Sequence, residues 1–331
     1  MSFRAYRIFE ENGVVSARFV QIEPSDLDPG EVVVRVHFSG LNYKDALAAT
    51  GAGKVVRRFP CIGGIDASGV IESSADSRFQ PGDAVLVTGY DMGVAHDGGF
   101  SERLCIPADW VVPLPSGLSL FDAMALGTAG FTAALAIHRL EQNELTPQRG
   151  KVIVTGASGG VASLAIQMLT QLGYHVVALT SRENQTDYLK SLGAAEVLLL
   201  SDIDLGGARP LEKSLWAGAL DAAGGPVLSW LTRSMQQNGV IASFGNAAGA
   251  TLETTVFPFI LRGIRLLGID SAATPMPLRR QIWQRLAGEL YPKQLMLVAH
   301  EANWERLPVL LLAMVQHQSS GRTVIRLPAA E

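Results

Sequence analysis

The sequence predicts an α/β chain of two domains, a β-rich one followed by a doubly wound parallel sheet. Three observations carry that expectation. The chain has 331 residues, more than one ordinary core organises. Up to Pro115 it is a string of short apolar runs cut by Gly, Pro and Asp, the punctuation of a barrel or sandwich. From Lys151 onward, apolar runs alternate with helical patterns, as parallel sheets with crossover helices require.

The elements follow in order. "EVVVRVHFSG" alternates and ends at Gly40. "GIDASGVIES", "GDAVLVTGY" and "RLCIPADWVVPLP" are further short strands bounded by turn residues. After Pro115 the texture changes to "SLFDAMALGTAGFTAALAIHRL", long, Ala-rich and helical in period. "KVIVTG" reads as a buried strand. In the helix after it, Val161, Leu164, Ala165, Met168 and Leu172 form one stripe facing a sheet, and Gly173 ends it as a C-terminal glycine does. "HVVALTS", the helix "ENQTDYLKSLGA", then "EVLLL", "GALDAAG", "GVIASFG" and "IRLLGIDS" continue the series. The tail, from "PLRRQIWQRLAGELY", predicts two amphipathic helices and a final strand "RTVIRL". No internal repeat or low-complexity stretch interrupts the pattern.

Composition narrows the class. Hydrophobic residues make up 48% and charged residues 18%, with a net charge of −4, so no nucleic-acid partner is expected. No apolar run is expected to reach the ~18 residues of a membrane span. The opening "MSFRAYRIFEENG" lacks the apolar core of a signal peptide, so a cytoplasmic protein with no membrane partner is expected. Cys61 and Cys105 are the only cysteines, too few for a disulfide framework or a four-cysteine zinc site. His37, His96, His138, His175, His300 and His317 are scattered, with no H-E-x-x-H pair. No metal is expected.

The chemistry begins at the turn Gly156-x-x-Gly159-x-x-Ala162. Glycines let a backbone approach a pyrophosphate, and the helix N-terminus behind them offers unpaired N–H groups and partial positive charge. Ala162 stands where only a small residue is needed for helix–strand packing. A strand before the turn, a periodic helix after it and a second strand beyond make this a dinucleotide-binding unit. An Asp or Glu at the end of that second strand would hold the ribose of NAD. Here Thr180, Ser181 and Arg182 take the place. An arginine with two hydroxyls suits a 2′-phosphate, so NADPH is the expected cofactor; Arg182 as a solvated loop charge is the competing reading. The turn also resembles that of short-chain dehydrogenases. Those place it near the chain start and need Tyr-x-x-x-Lys, whereas Tyr174, Tyr188 and Tyr291 are followed by Ala178, Leu192 and Leu295.

A β-rich domain, a nucleotide-binding domain and a returning tail together resemble the medium-chain dehydrogenases/reductases. The stretches "GLNYKDALAATG" and "IGGIDASGVI" carry neither Cys nor His where zinc enzymes of that superfamily place ligands, so the resemblance is to the zinc-free, quinone-oxidoreductase-like branch. "LNYKDALAATGAGKVVRRFPCIGGIDASG", "TSRENQTDYLKSLGA", "FGNAAGATLETTVFPFILRGIRLLGIDS" and "GRTVIRL" resemble its acrylyl-CoA reductase subgroup. The resemblance implies a GroES-like catalytic domain (residues 1–122 plus 272–331) and a Rossmann NADPH-binding domain (123–271). It implies metal-free, NADPH-dependent reduction of acrylyl-CoA or a close 2-enoyl-CoA.

Residue roles follow on that footing. Tyr43 either lines the nicotinamide pocket and donates to the substrate or only packs there; Asn42 orients substrate or nicotinamide amide. Asp66 is either an acid–base group or a turn-stabilising carboxylate beside glycines. Lys54, Arg57 and Arg58 either hold the phosphates of coenzyme A or form a solvated loop. Around the cofactor the resemblance implies Tyr43, Gly156, Ser158, Gly159, Gly160, Val161, Thr180, Ser181, Arg182, Phe244, Gly245, Asn246, Ser271 and Arg322. The strand Ile264–Ser271 implies a homodimer through a sheet edge. A quinone or enone reductase is the alternative enzyme, and a non-catalytic NADPH-binding sensor is the alternative outside enzymes.

Overall fold

A computed structural model describes residues 2–207 and 209–328. In chain order the elements are β1 (Phe3–Glu11), β2 (Val14–Ile22), β3 (Val32–Gly40), α1 (Tyr43–Thr50), β4 (Cys61–Ile62), β5 (Asp66–Ser74), β6 (Ala84–Thr88), β7 (Arg103–Ile106), β8 (Val112–Pro113) and α2 (Leu120–Gln142). Then come β9 (Val152–Thr155), α3 (Gly160–Gln171), β10 (Val176–Thr180), α4 (Thr186–Ser191), β11 (Glu196–Leu199), β12 (Trp216–Asp221), α5 (Gly225–Ser234), β13 (Met235–Ser243), α6 (Phe257–Arg262) and β14 (Arg265–Gly268). The tail holds α7 (Met276–Leu286), α8 (Leu295–Val298), β15 (Ala299–Asn303), α9 (Leu307–Val315) and β16 (Arg322–Arg326). The chain divides into two compact units, Met1–Ala129 with Ser271–Ala287 and Ala299–Glu331, and Gly130–Asp270 with Gly288–Val298.

In the first unit, β1 pairs with β2 across Asn12–Gly13, with Glu11 opposite Val14. Both turn residues have positive φ, 54° and 77°, which an Asn-Gly pair adopts readily. β4 completes that three-stranded sheet. A second sheet runs β15-β16-β3-β5-β6-β8, with β7 also beside β3. Alternate residues of β3 (Val32, Val34, Val36) point into a core with Ile8, Ile71, Phe100 and Leu104. The period-two pattern of "EVVVRVHFSG" thus buries one face, as its sequence requires.

In the second unit six parallel strands run β11-β10-β9-β12-β13-β14. The order reverses beside β9, the switch point of a doubly wound sheet. Ile153, Val177, Ala219 and Ile241 fill one core beside it. α3 is buried nearly all round, including Ser163, Ile166 and Gln167, so the single stripe expected of it is too narrow a description. The Gln167 amide donates to the carbonyl of Gln294 at 3.3 Å and accepts from its N–H at 3.1 Å. A second layer therefore covers the face that a surface helix would show to water.

Three expectations change. Residues 288–298 group with the parallel sheet, where α8 packs on α3, and 123–129 group with the β-rich unit, where Thr128 donates to Asp66 and Arg322 donates to the Met124 and Ala125 carbonyls. β15 forms in the tail, parallel to β16, where only helices and one strand were expected. And α2 does reach spanning length, 23 residues with mean hydropathy 1.6 in its most apolar window. That window is 78% buried inside the protein, and the helix breaks at Gly127 (φ 50°, ψ −153°), so its apolarity serves packing.

Candidate active site

The carboxyl edge of the parallel sheet gathers the loops singled out around the cofactor. β9 ends at Thr155 and the chain turns at Gly156, whose φ of 58° suits glycine. Gly159 is the N-cap of α3 and brings no capping side chain, so the helix opens with backbone donors uncapped by a side chain. Gly160 and Val161 form its first turn. Ser158 is buried beside it. At the end of β10, the Thr180 hydroxyl accepts the Arg182 N–H at 3.1 Å, and Ser181 is exposed beside them. At the end of β13, the Phe244 N–H donates to the Asp221 carbonyl at 3.0 Å. A Cβ on Gly245 would collide with the Ala222 carbonyl, so the loop Phe244–Asn246 runs too close to the strand end for any side chain there. A backbone cradle with an uncapped helix start and a hydroxyl–arginine edge fits a dinucleotide carrying a 2′-phosphate.

One carboxylate braces this edge. Asp221, fully buried, accepts from Thr155 Oγ1 at 2.7 Å, from the Gly224 N–H at 3.1 Å and from Ser243 Oγ at 3.3 Å. It thereby ties the ends of β9, β12 and β13 together. Burial pushes its carboxyl above the ordinary range, against those hydrogen bonds.

The β-rich unit has a polar hub where β3, α1, β5, the break in α2 and β16 meet. Asp66 is fully buried. Its oxygens accept from Thr128 N–H (2.9 Å) and Oγ1 (2.6 Å) and from Asn42 Nδ2 (2.8 Å), and Arg322 Nη2 stands 3.5 Å away. Arg322 also donates to the carbonyls of Leu41, Met124 and Ala125 and to Asn42 Oδ1. The second Asn42 Nδ2 hydrogen goes to the Gly40 carbonyl. Asp45, wholly enclosed, accepts from the N–H groups of Asn42 and Ile65. Burial first, and then the Asp66 charge, push its carboxyl up to about 7.

This hub revises three roles. Asp66 has no solvent-facing oxygen and is a structural acceptor; its turn-stabilising reading is the one its surroundings favour. The Asn42 amide hydrogens are both committed internally. Arg322 is 3% exposed and spends its guanidinium on five protein partners, which hold it in the hub. Tyr43, by contrast, is 43% exposed at the first turn of α1, and its ring stacks on His317 at 5.9 Å.

Beside α1, within the same unit, lies a cleft of about 390 Å³ lined by Lys44, Arg57, Tyr90, Asp91, Val94, Trp110, Ala272 and Ala273. Tyr90 and Trp110 stack at 5.1 Å, nearly parallel. Arg279, fully buried, lies 4.4 Å from the Tyr90 ring centroid and donates to Thr88, Ala272 and Ser271 carbonyls. Ser271 is thus an anchor for this wall. Of the three cations expected to act together, Arg57 pairs with Asp91 at the cleft. Arg58 pairs with Asp28 and donates to the Ala95 carbonyl, and neither it nor Lys54 lines the cleft. Lys44, Tyr90, Asp91, Trp110 and Arg279 carried no expected role. Lys44 stood within the quoted "NYKD", but nothing in spacing announced the wall that Arg279 builds from across the chain.

A parallel sheet ordered 3-2-1-4-5-6 around an uncapped glycine turn, joined to a β-rich unit, defines a two-domain dinucleotide-dependent oxidoreductase. The family models "Alcohol dehydrogenase GroES-like domain" and "Zinc-binding dehydrogenase" match residues 28–116 and 160–287. The chain belongs to the medium-chain dehydrogenase/reductase family, within the group that contains YhfP and AcuI. It is 46% identical to a protein named quinone oxidoreductase YhfP from Bacillus subtilis, over 98% of this chain and 99% of that one. A crystal structure of that YhfP with NAD bound superposes with a TM-score of 0.96 over 99% of this chain and 100% of the other. The chain is 45% identical to acrylyl-CoA reductase AcuI of Ruegeria pomeroyi, over 96% of each. The structure of Escherichia coli YhdH with bound NADPH, also 45% identical, matches with a TM-score of 0.95 over 98% of this chain and all of that one.

Proposed function

We propose that the protein reduces the activated C=C bond of acrylyl-CoA, or a close 2-enoyl-CoA, to the saturated thioester with NADPH. The observation that carries this is the near full-length likeness to AcuI in a chain whose β10 ends at Thr180 and runs on into Ser181-Arg182. Gly156, Ser158, Gly159, Gly160 and Val161 would hold the pyrophosphate, Thr180, Ser181 and Arg182 the 2′-phosphate, and Phe244–Asn246 the neighbouring loop. When bound, the reduced nicotinamide supplies a hydride to the β-carbon.

The protein's task is then to hold the thioester and meet the charge that develops on it. A C=C bond conjugated to a thioester places negative charge on the thioester oxygen as it is reduced, and the α-carbon takes up a proton. Hydrogen-bond donors aimed at that oxygen lower the barrier, and a positioned proton donor completes the reaction. Tyr43, exposed where α1 begins, is the phenol we assign to donate. Asn42, Asp66 and Arg322 act through it, by fixing the residue before it at the helix start. The conjugated thioester is polarised without a Lewis acid. Burial pushes the Cys61 thiol up to about 12 and raises Cys105. Among the described residues no three His, Cys, Asp or Glu side chains converge. We therefore read the reaction as metal-free.

A second reading, a quinone or enone reductase, is supported by the name of the YhfP relative. Steady-state kinetics separate the two. With NADPH, kcat/KM for acrylyl-CoA should exceed that for a small quinone by about a hundredfold or more, the ~3 kcal/mol that binding the coenzyme A portion contributes to the transition state. Equal values would favour the second reading. We also infer a homodimer through β14, which ends the six-stranded sheet beside the exposed apolar residues Val256, Phe257, Ile260 and Leu261.

A further inference from the structure

We propose that the cleft between Lys44, Arg57, Tyr90 and Trp110 is the binding site for a phosphorylated pantetheine arm, the part of an acyl-CoA between its thioester and its nucleotide. The proposal rests on the acyl-CoA reading above and deepens it by naming where that carrier is recognised. Four features point to it.

The wall is aromatic and rigid. Tyr90 is held by the Arg279 guanidinium, 4.4 Å from its ring centroid, and by Trp110, stacked at 5.1 Å, and His96 meets Trp110 edge-on at 5.4 Å. Its order is settled before any ligand arrives, so little conformational freedom remains to be lost on binding. Second, Tyr90 has a φ of 52°, a left-handed conformation that a bulky residue rarely adopts and that collects at binding sites. The Tyr90 N–H donates to the Ala272 carbonyl at 2.9 Å, and Arg279 clamps Ala272 as well. Tyr90 and the small residue Ala272 are thereby fixed side by side in the cleft lining.

Third, the rim carries two cations and one carboxylate: Lys44, Arg57 and Asp91. Arg57 is held against Asp91 by their ion pair, and its N–H donates to the Val94 carbonyl at 2.8 Å. This surplus of positive charge beside an apolar floor of Val94, Ala272 and Ala273 suits a phosphate on an amide-and-alkyl arm. A bare quinone would offer neither cation an anionic group. Fourth, about 390 Å³ lies in the range of small-ligand clefts. Coenzyme A extends well beyond a pantetheine phosphate, so its nucleotide end would project outward.

Two measurements test the assignment. The first compares KM for acrylyl-CoA with KM for acrylyl-pantetheine, the same thioester without phosphates. The wild-type protein should prefer acrylyl-CoA by about tenfold or more, the scale of a charge-assisted phosphate contact. In Lys44→Ala and Arg57→Ala that ratio should fall toward one. In Asp91→Asn it should rise, because the rim loses its only carboxylate. Equal KM values in the wild type, or a ratio that survives both alanine variants, would overturn the proposal. The second measurement needs no turnover. Of the five tryptophans, Trp216, Trp230, Trp283 and Trp304 are buried and Trp110 is not, so iodide quenching reports Trp110. Coenzyme A should shield it, and pantetheine at the same concentration should not; shielding by neither, or equally by both, contradicts the proposal. If neither thioester is reduced, the functional reading fails while the shielding still decides the site.

Discussion

Asp45 is wholly enclosed, with the Asp66 carboxylate nearby and two backbone N–H groups on its oxygens. Its carboxyl is pushed up to about 7, against an ordinary value near 4. A raised folded-state value means the native protein holds this proton more tightly than the unfolded chain. The stabilisation is therefore complete below about pH 4 and is lost as pH rises through 7. Melting curves should show Tm falling between pH 5 and 8, and Asp45→Asn should reduce the stability lost across that window by roughly 1–2 kcal/mol. An unaltered slope would remove Asp45 from the account. Arg182 is tested by its alanine variant, which should raise KM for NADPH about tenfold and leave NADH nearly unaffected, the loss of one phosphate ion pair. At this scale the sequence told a divided story. Gly156, Gly159 and the 180–182 edge were legible because local backbone needs fixed them. Arg322 was not: its five partners include Leu41, Met124 and Ala125, far away in sequence, and no spacing announces such a meeting.

Among the elements, the break in α2 is the most constrained. Gly127 has a φ of 50°, and a Cβ there would collide with Asp66 Oδ2 and lie 2.7 Å from Arg322 Nη2. Gly127→Ala should destabilise the protein by roughly 2–4 kcal/mol through strain and displacement of the hub. A thermal melt within 1 °C of wild type would contradict that. The sequence displayed α2 as one continuous helix because its alanine period runs straight through residue 127; only the approach of the Asp66–Arg322 pair explains the glycine. The β1–β2 hairpin was not among the expected elements although it turns at "NG", Asn12–Gly13, a strong hairpin signal: its flanking strands alternate poorly and β2 is only partly buried. β15 stayed hidden because "AHEAN" has no strand period; it forms by pairing with β16.

For the whole molecule, the parallel sheet was readable because each strand and helix carries its own period, while the routing of residues 288–298 to the second unit depends on α8 finding α3. The proposed dimer belongs here. Light scattering should give twice the 35.3 kDa of one chain, and Ile260→Glu, on the exposed face of α6, should halve it; a wild-type monomer would reject the edge-strand interface. The central claim is that a hydride passes from the cofactor to an electron-poor alkene carbon. Mass spectrometry and NMR of the product formed from acrylyl-CoA and NADPH deuterated at C4, prepared separately on each face, test it most directly. One of the two preparations should give propionyl-CoA with a single deuterium at C3 and a solvent proton at C2. Deuterium at C2, or no propionyl-CoA from either preparation, would contradict it.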